Sequence, residues 1–182
     1  MSKTKSTTYR LVLSAMFIAV GIVLPFVTGQ IQQIGNMLLP MHLPVFICGM
    51  ICGWQYGVVV GFATPLLRSV MFGMPVIFPN AVGMAFELAV YGFVAGLIYK
   101  MTKKKNVLSV YTAMVPAMLM GRAVWGVVQT VILSFGDSPF TWKMFVAGAF
   151  VNAVPGIILQ LVLVPAIMTV LRYTVYKKEW KD

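Results

Sequence analysis

Three ionisable side chains stand inside long apolar stretches of this sequence: Arg68, Glu87 and Arg122. The same stretches carry His42, Asn80, Gln129, Asn152 and Gln160. A charge at the centre of a membrane helix costs about 2.5–3.5 kcal/mol on insertion scales, so it is kept for pairing or for function. Acid–base catalysis is poorly supplied, because the chain has four acidic residues and two of them, Glu179 and Asp182, lie in the C-terminal tail. Gly-x-Ser-x-Gly, His-Glu-x-x-His, paired aspartates and a phosphate-cradling glycine loop are all missing. With a single histidine, a metal site lacks its usual ligands. Neither catalysis nor a cofactor is expected. The chemistry left to this set is to pair charges and to hold a small ligand by hydrogen bonds.

Each residue has a structural reading beside the functional one. Glu87 and Arg122 are the deepest, and for them a ligand role outweighs a plain buried ion pair. Arg68 divides evenly between a ligand group and an interfacial arginine that snorkels. His42 fits a satisfied interfacial histidine better than a ligand. Trp125 lies three residues from Arg122 and four from Gln129, so it shares their helical face. It stacks on a flat ligand or packs internally, and the sequence leaves the two level. Cys48 and Cys52, one helical turn apart, are small packing residues.

The elements that must position these groups follow from composition. Of 182 residues, 60% are hydrophobic and 10% charged. A soluble domain is about a quarter charged, so this chain lacks the charge to cover a water-facing surface. Two cysteines rule out a disulfide scaffold. An all-α integral membrane protein remains. At about 20 apolar residues per crossing, there is room for six or seven crossings and no soluble domain.

The net charge of +10 marks topology and not nucleic-acid binding. Basic residues gather at Lys3, Lys5 and Arg10, at Lys100 and Lys103–Lys105, and at Arg172, Lys177, Lys178 and Lys181. Short Lys/Arg-rich segments stay cytoplasmic, so both termini and the middle cluster share that side. One domain of six spans satisfies this, at about 11–28, 40–53, 57–72, 80–99, 108–134 and 144–171. The lysine-rich ends also face anionic lipid headgroups, as a secondary role.

Counted inward at about 1.5 Å per residue, the polar groups fall in the outer half of the bilayer. His42 opens span two at the outer face. Arg122 and Gln160 lie near the middle. The inner half is almost purely apolar. A pocket open outward and sealed below needs that distribution, whereas a conducting pore needs polar groups throughout. The alternative is a small oligomeric channel or a self-sufficient secondary carrier. An intramembrane enzyme or assembly factor is weaker still, for want of a nucleophile–base pair. Small residues four apart, at Ala15 and Ala19, Gly49 and Gly53, Gly57 and Gly61, and Gly92 and Gly96, allow close helix approach. Most serve internal packing, and the pair on the first helix can instead dock another membrane protein.

Several stretches carry a resemblance: Ala15-x-x-x-Ala19, Leu39-Pro40-Met41-His42-Leu43-Pro44 through Gly53-Trp54-Gln55-Tyr56-Gly57, Thr64-Pro65-Leu66-Leu67-Arg68, and Asn80 to Glu87 with Tyr91-Gly92. With six spans and a basic loop after the fourth, the chain resembles the substrate-binding S component of an energy-coupling factor (ECF) vitamin transporter. The resemblance implies a multi-pass protein of a prokaryotic plasma membrane that captures a vitamin from outside and has no ATPase of its own. Its partners would be a transmembrane coupling protein, docked on Ala15 and Ala19, and two cytoplasmic ATPases. The ligand would be held by Glu87, Arg122, Trp125, Gln129, Asn152 and Gln160. Gln32, Gln33 and Asn36 would lie in a capping loop, and Arg68 and His42 are further candidates. Two arginines against one glutamate favour an anion such as pantothenate. Trp125 and Glu87 suit a pyridoxine-type heteroaromatic, and both ligands stay open.

Overall fold

The computed structural model describes residues 3–28, 38–134 and 141–173. Among these the chain is helical, without strands. Helix α1 (Lys3–Val23) runs into a 3₁₀ turn (Leu24–Thr28). Helices α2 (His42–Cys52) and α3 (Trp54–Phe72) follow. A π-type turn (Ile77–Ala81) leads into α4 (Val82–Met101), and α5 spans Val107–Ser134. A short helix α6 (Trp142–Val146), a π-type turn (Ala147–Val151) and α7 (Val154–Leu171) complete the order.

The segments expected to cross the membrane are largely helical, yet among the described residues only four stretches have both the length and the apolarity to do so: Thr7–Phe26, Ile77–Met101, Val107–Ser134 and Val154–Leu171. The other two are α2 and α3. Helix α3 has the length, 19 residues, but carries Gln55, Thr64, Arg68 and Ser69. Helix α2 has 11 residues, or about 16 Å at 1.5 Å per residue, half of a hydrocarbon core. It is almost wholly buried, so protein and not lipid surrounds it, which is where a short segment is tolerated. The expected sixth span is broken. Pro155 has no N–H to continue a helix from the preceding turn and suits the first turn of a new one, so the chain turns at Asn152 and Ala153 before α7 begins.

Helix α4 is the hub, packed against α2, α3 and α5. Its closest approaches run through glycines. A Cβ on Gly92 would stand 2.3 Å from the Gly57 carbonyl group, and one on Gly49 would stand 2.6 Å from Gly92 O. A Cβ on Gly61 would meet Leu88 O at 2.3 Å. Three backbones thus touch where α2, α3 and α4 meet, and the glycine pairs noted in the sequence build this contact. Gly53 does something else. Its φ of 106 lies where only glycine sits without strain, and it reverses the chain between α2 and α3 in a single residue. Helix α3 therefore starts at Trp54, earlier than the 53–57 turn expected from sequence.

Polar and apolar groups separate along the helices. Helix α4 has Glu87 in its first half and Val94, Ala95 and Tyr99 in its second. Helix α5 reverses this, with Val110, Ala113, Met114 and Ala117 preceding Arg122 and Gln129. The loop between them lies at the apolar end. There Lys105 Nζ donates to Tyr99 O and sits 4.2 Å from the Tyr99 ring centroid. Burial, and then the nearby Arg172, lower the Lys105 ammonium below its usual range.

The glycine contact yields a first prediction. In Gly92→Ala the new methyl meets backbone, which cannot rotate away, so overpacking should cost about 1–3 kcal/mol. Thermal unfolding in detergent should show a clearly lower midpoint. The open, left-handed Gly73 (φ 70) replaced by Asn, which tolerates that conformation, should shift it little.

Candidate functional site

Glu87 lies in the second turn of α4 and Arg122 near the middle of α5. Both are buried, and Arg122 Nη1 lies 3.1 Å from Glu87 Oε1. Tyr91, one turn after Glu87 on the same face, donates its hydroxyl to Glu87 Oε1 at 3.0 Å. His42, the first residue of α2, is fully buried with Nε2 3.6 Å from the same oxygen. The Tyr91 ring stacks on Phe46 at 4.9 Å and meets His42 edge-on at 5.2 Å. Three polar groups from three helices thus converge on one carboxylate oxygen inside an apolar bundle.

Local backbone features make this convergence fit. Gly121 removes the side chain that would strike the Tyr91 ring, since its Cβ would lie 2.0 Å from Tyr91 Cε1. Leu39 holds a left-handed φ of 50, which costs a non-glycine residue about 1–2 kcal/mol. Its carbonyl accepts from the His42 N–H at 3.1 Å, so the strained residue starts α2 where His42 can face Glu87.

The cluster is not saturated. His42 Nδ1 and Nε2, Arg122 Nε and Nη2, and, on α7, Gln160 Nε2 are buried and have no hydrogen-bond partner among the described residues. Gln160 lies on the buried face of α7, the helix that packs on α5 and α2. A buried donor left unmade costs about 1–3 kcal/mol, more when charged. This is a site with hydrogen-bonding capacity still to spend.

The remaining expected site residues divide. Gln129 and Trp125 continue up α5 from Arg122 and both face Gly83 of α4, whose added Cβ would lie 2.7 and 3.4 Å from them. Trp125 also stacks against Phe145, ring centroids 6.3 Å apart. Beside them, along a neighbouring face of α5, runs an apolar groove of about 580 Å³ between Gly126, Thr130, Trp142 and Phe145. Asn152 is exposed, in the turn before α7, and does not join the cluster. Gln32, Gln33 and Asn36 lie outside the described residues. Ala15 and Ala19 are exposed on α1.

Two expectations are corrected by geometry. His42 is expected at the outer face because it opens span two. Because α2 is about half the length of a full crossing, its first residue reaches the middle of the bundle. Arg68 does not share a cavity with Arg122. It donates to Ile22 O and stands 5.0 and 5.7 Å from the Phe26 and Phe72 ring centroids. After α1 the chain turns 3₁₀, and the 3₁₀ donor to Ile22 O would be Pro25, which has no N–H. Arg68 supplies the missing donor. The cluster therefore sets one arginine against one glutamate, and not the two arginines expected from the sequence. Tyr91 was missed as a site residue. Its position four residues after Glu87 was the available signal.

Removing Arg122 alone leaves Glu87 buried and unpaired, which should cost roughly 3–5 kcal/mol. Arg122→Met should lower the unfolding midpoint strongly. The double variant with Glu87→Gln should recover most of the loss, which a double-mutant cycle in detergent would measure.

A protein-family model described as "ECF transporter, substrate-specific component" matches residues 9–168. That stretch contains every described member of the cluster and all seven helices in whole or in part. Comparison with curated proteins and with solved structures gives no match. The match over most of the chain, with the all-helical fold and its apolar spans, shows a multi-pass cell-membrane protein, and the chain belongs to the substrate-specific components of ECF transporters.

Proposed function

We propose that this chain captures a small water-soluble vitamin from outside the cell and presents it to an ATP-driven ECF module. A pantothenate-like anion and a pyridoxine-type heteroaromatic are the two ligand classes in question. The observation that carries this reading is the buried cluster of Glu87, Arg122 and His42 with Gln160 on the adjoining α7, five of whose nitrogen atoms have no hydrogen-bond partner among the described residues. A purely structural ion pair gains nothing from surplus buried donors, whereas a ligand-binding site needs them. Trp125 and Gln129 extend the site along α5. Gln33 and Asn36 belong to the segment that would cap it.

The orientation follows from charge. The basic loop after α4 and the end of α7 lie at the apolar end of the bundle, so the polar end faces outward by the positive-inside rule. Six segments then run between the two faces, α2 covering about half of the thickness, with both termini cytoplasmic. The family implies association with the ECF module. In this reading a transmembrane coupling protein meets the exposed Ala15 and Ala19, where small side chains let a partner helix approach closely, and two cytoplasmic ATPases complete the importer.

Thermal unfolding of the detergent-purified protein against a panel of water-soluble vitamins tests capture. A ligand that binds only the native state stabilises it by about 2.7 kcal/mol at a hundredfold excess over Kd. One compound should raise the midpoint, and Arg122→Lys should reduce that shift. Absence of any shift across the panel would count against capture. For docking, Ala15→Leu with Ala19→Leu should leave that shift intact and abolish uptake in cells. Normal uptake would remove these residues from the interface.

A further inference from the structure

Arg122 spends only part of its guanidinium on Glu87. Nη1 faces Glu87 Oε1, while Nε and Nη2 are buried and make no hydrogen bond. These two nitrogens form one edge of the planar group. Their N–H bonds run side by side and match the two oxygens of a carboxylate. A point donor such as lysine has no such edge. Arg122 therefore grips its internal partner by one end and keeps a bidentate face for another anion.

Charge sets a second condition. Glu87 already neutralises Arg122. A carboxylate on the free edge would add an uncompensated negative charge to a buried site, which is costly in a low dielectric. His42 stands where the balance can be made. It is fully buried, with Nε2 3.6 Å from Glu87 Oε1, and neither ring nitrogen has a partner within hydrogen-bond distance among the described residues. Protonated, it offers two donors and one positive charge. The titratable and charged groups that face it are Glu87 and Tyr91 from α4 and Arg122 from α5. Helix α7 has no titratable residue. Of the other helices packed on α2, α3 holds its arginine, Arg68, against Ile22, and α1 has its charged residues in its first turns, Lys3 to Arg10.

Resting on the capture reading above, we infer that the ligand carries a carboxylate seated side-on upon Arg122 Nε and Nη2, and that His42 takes one proton from solvent as the ligand binds. The occupied site then holds two positive charges, on Arg122 and His42, against two negative ones, on Glu87 and the ligand. The amide or alcohol counterpart of the same ligand brings no charge and requires no proton.

Matched pairs test this on the full chain in lipid nanodiscs: pantothenate with panthenol, biotin with biotinamide, and nicotinate with nicotinamide. Thermal shift selects the pair that binds. Calorimetry in buffers of different ionisation enthalpy then counts protons. The carboxylate member should bind at least about tenfold more tightly than its neutral counterpart and take up close to one proton. Its affinity should tighten about tenfold for each pH unit lowered, over the range where His42 is neutral without ligand and charged with it. His42→Gln should remove both the uptake and the pH slope. Arg122→Lys should weaken the carboxylate member far more than the neutral one.

Equal binding of the two members without proton uptake overturns the inference and leaves capture standing. Proton uptake that persists in His42→Gln overturns the role of His42. Stabilisation by pyridoxine alone overturns the carboxylate class while upholding capture. No shift with any compound overturns capture and this inference together.

Discussion

A carboxylate and a guanidinium 3.1 Å apart inside an apolar bundle make a demand that the rest of the fold must meet. Neither charge is tolerable without the other, so α4 and α5 must lie side by side at the depth of Glu87 and Arg122. Gly121 gives the room for that approach, because the Tyr91 ring occupies the space a side chain would take. Gly83 does the same one turn earlier, where Gln129 and Trp125 lean on α4. The pair in turn recruits Tyr91, whose hydroxyl also ends on Glu87. Packing and electrostatics are therefore one problem at this point of the structure.

The short helix α2 solves a second problem. A helix of about 16 Å cannot reach across a bilayer, and it survives only when other helices shield it. The glycine contact with α3 and α4 supplies that shield at backbone distance. The consequence is functional, since a helix that stops halfway puts its first residue in the middle of the bundle. His42 thereby meets Glu87, where a full-length helix would have left it at the surface. Arg68 has a separate task. It closes the hydrogen-bond deficit that Pro25 creates at the end of α1, and two phenylalanine rings cover it.

A substrate-specific component must hold a polar molecule within a hydrophobic body. The bundle meets this by grading polarity along its axis. Buried donors with no internal acceptor lie in the polar half. The other half is closed by Val94, Ala95, Val110, Ala113, Met114 and Val164. Such a gradient suits binding at one face, because an apolar floor gives a polar molecule no path through. The unsatisfied edge of Arg122 is the point where the bundle gives up stability locally.

Much of this was written in one dimension. Periodic apolar runs, broken by Gly, Pro and basic clusters, located most of the helices because membrane insertion constrains each segment separately. Glu87, Arg122, Gln129 and Gln160 stood out because a polar group within such a run is costly wherever it lies. The glycine pairs announced close packing for the same local reason. Which groups meet was another matter. Arg68 and Arg122 look alike in sequence, yet one serves a carbonyl of α1 and the other a carboxylate of α4. His42 seemed interfacial because its depth depends on where a short helix is anchored by its neighbours. Spacing alone puts Asn152 on a helix face, but Pro155 starts a new helix and leaves Asn152 exposed in the turn before it. Residue type reports the cost of burial, which is local. Partnership depends on distances between helices, and those are set by three-dimensional packing alone.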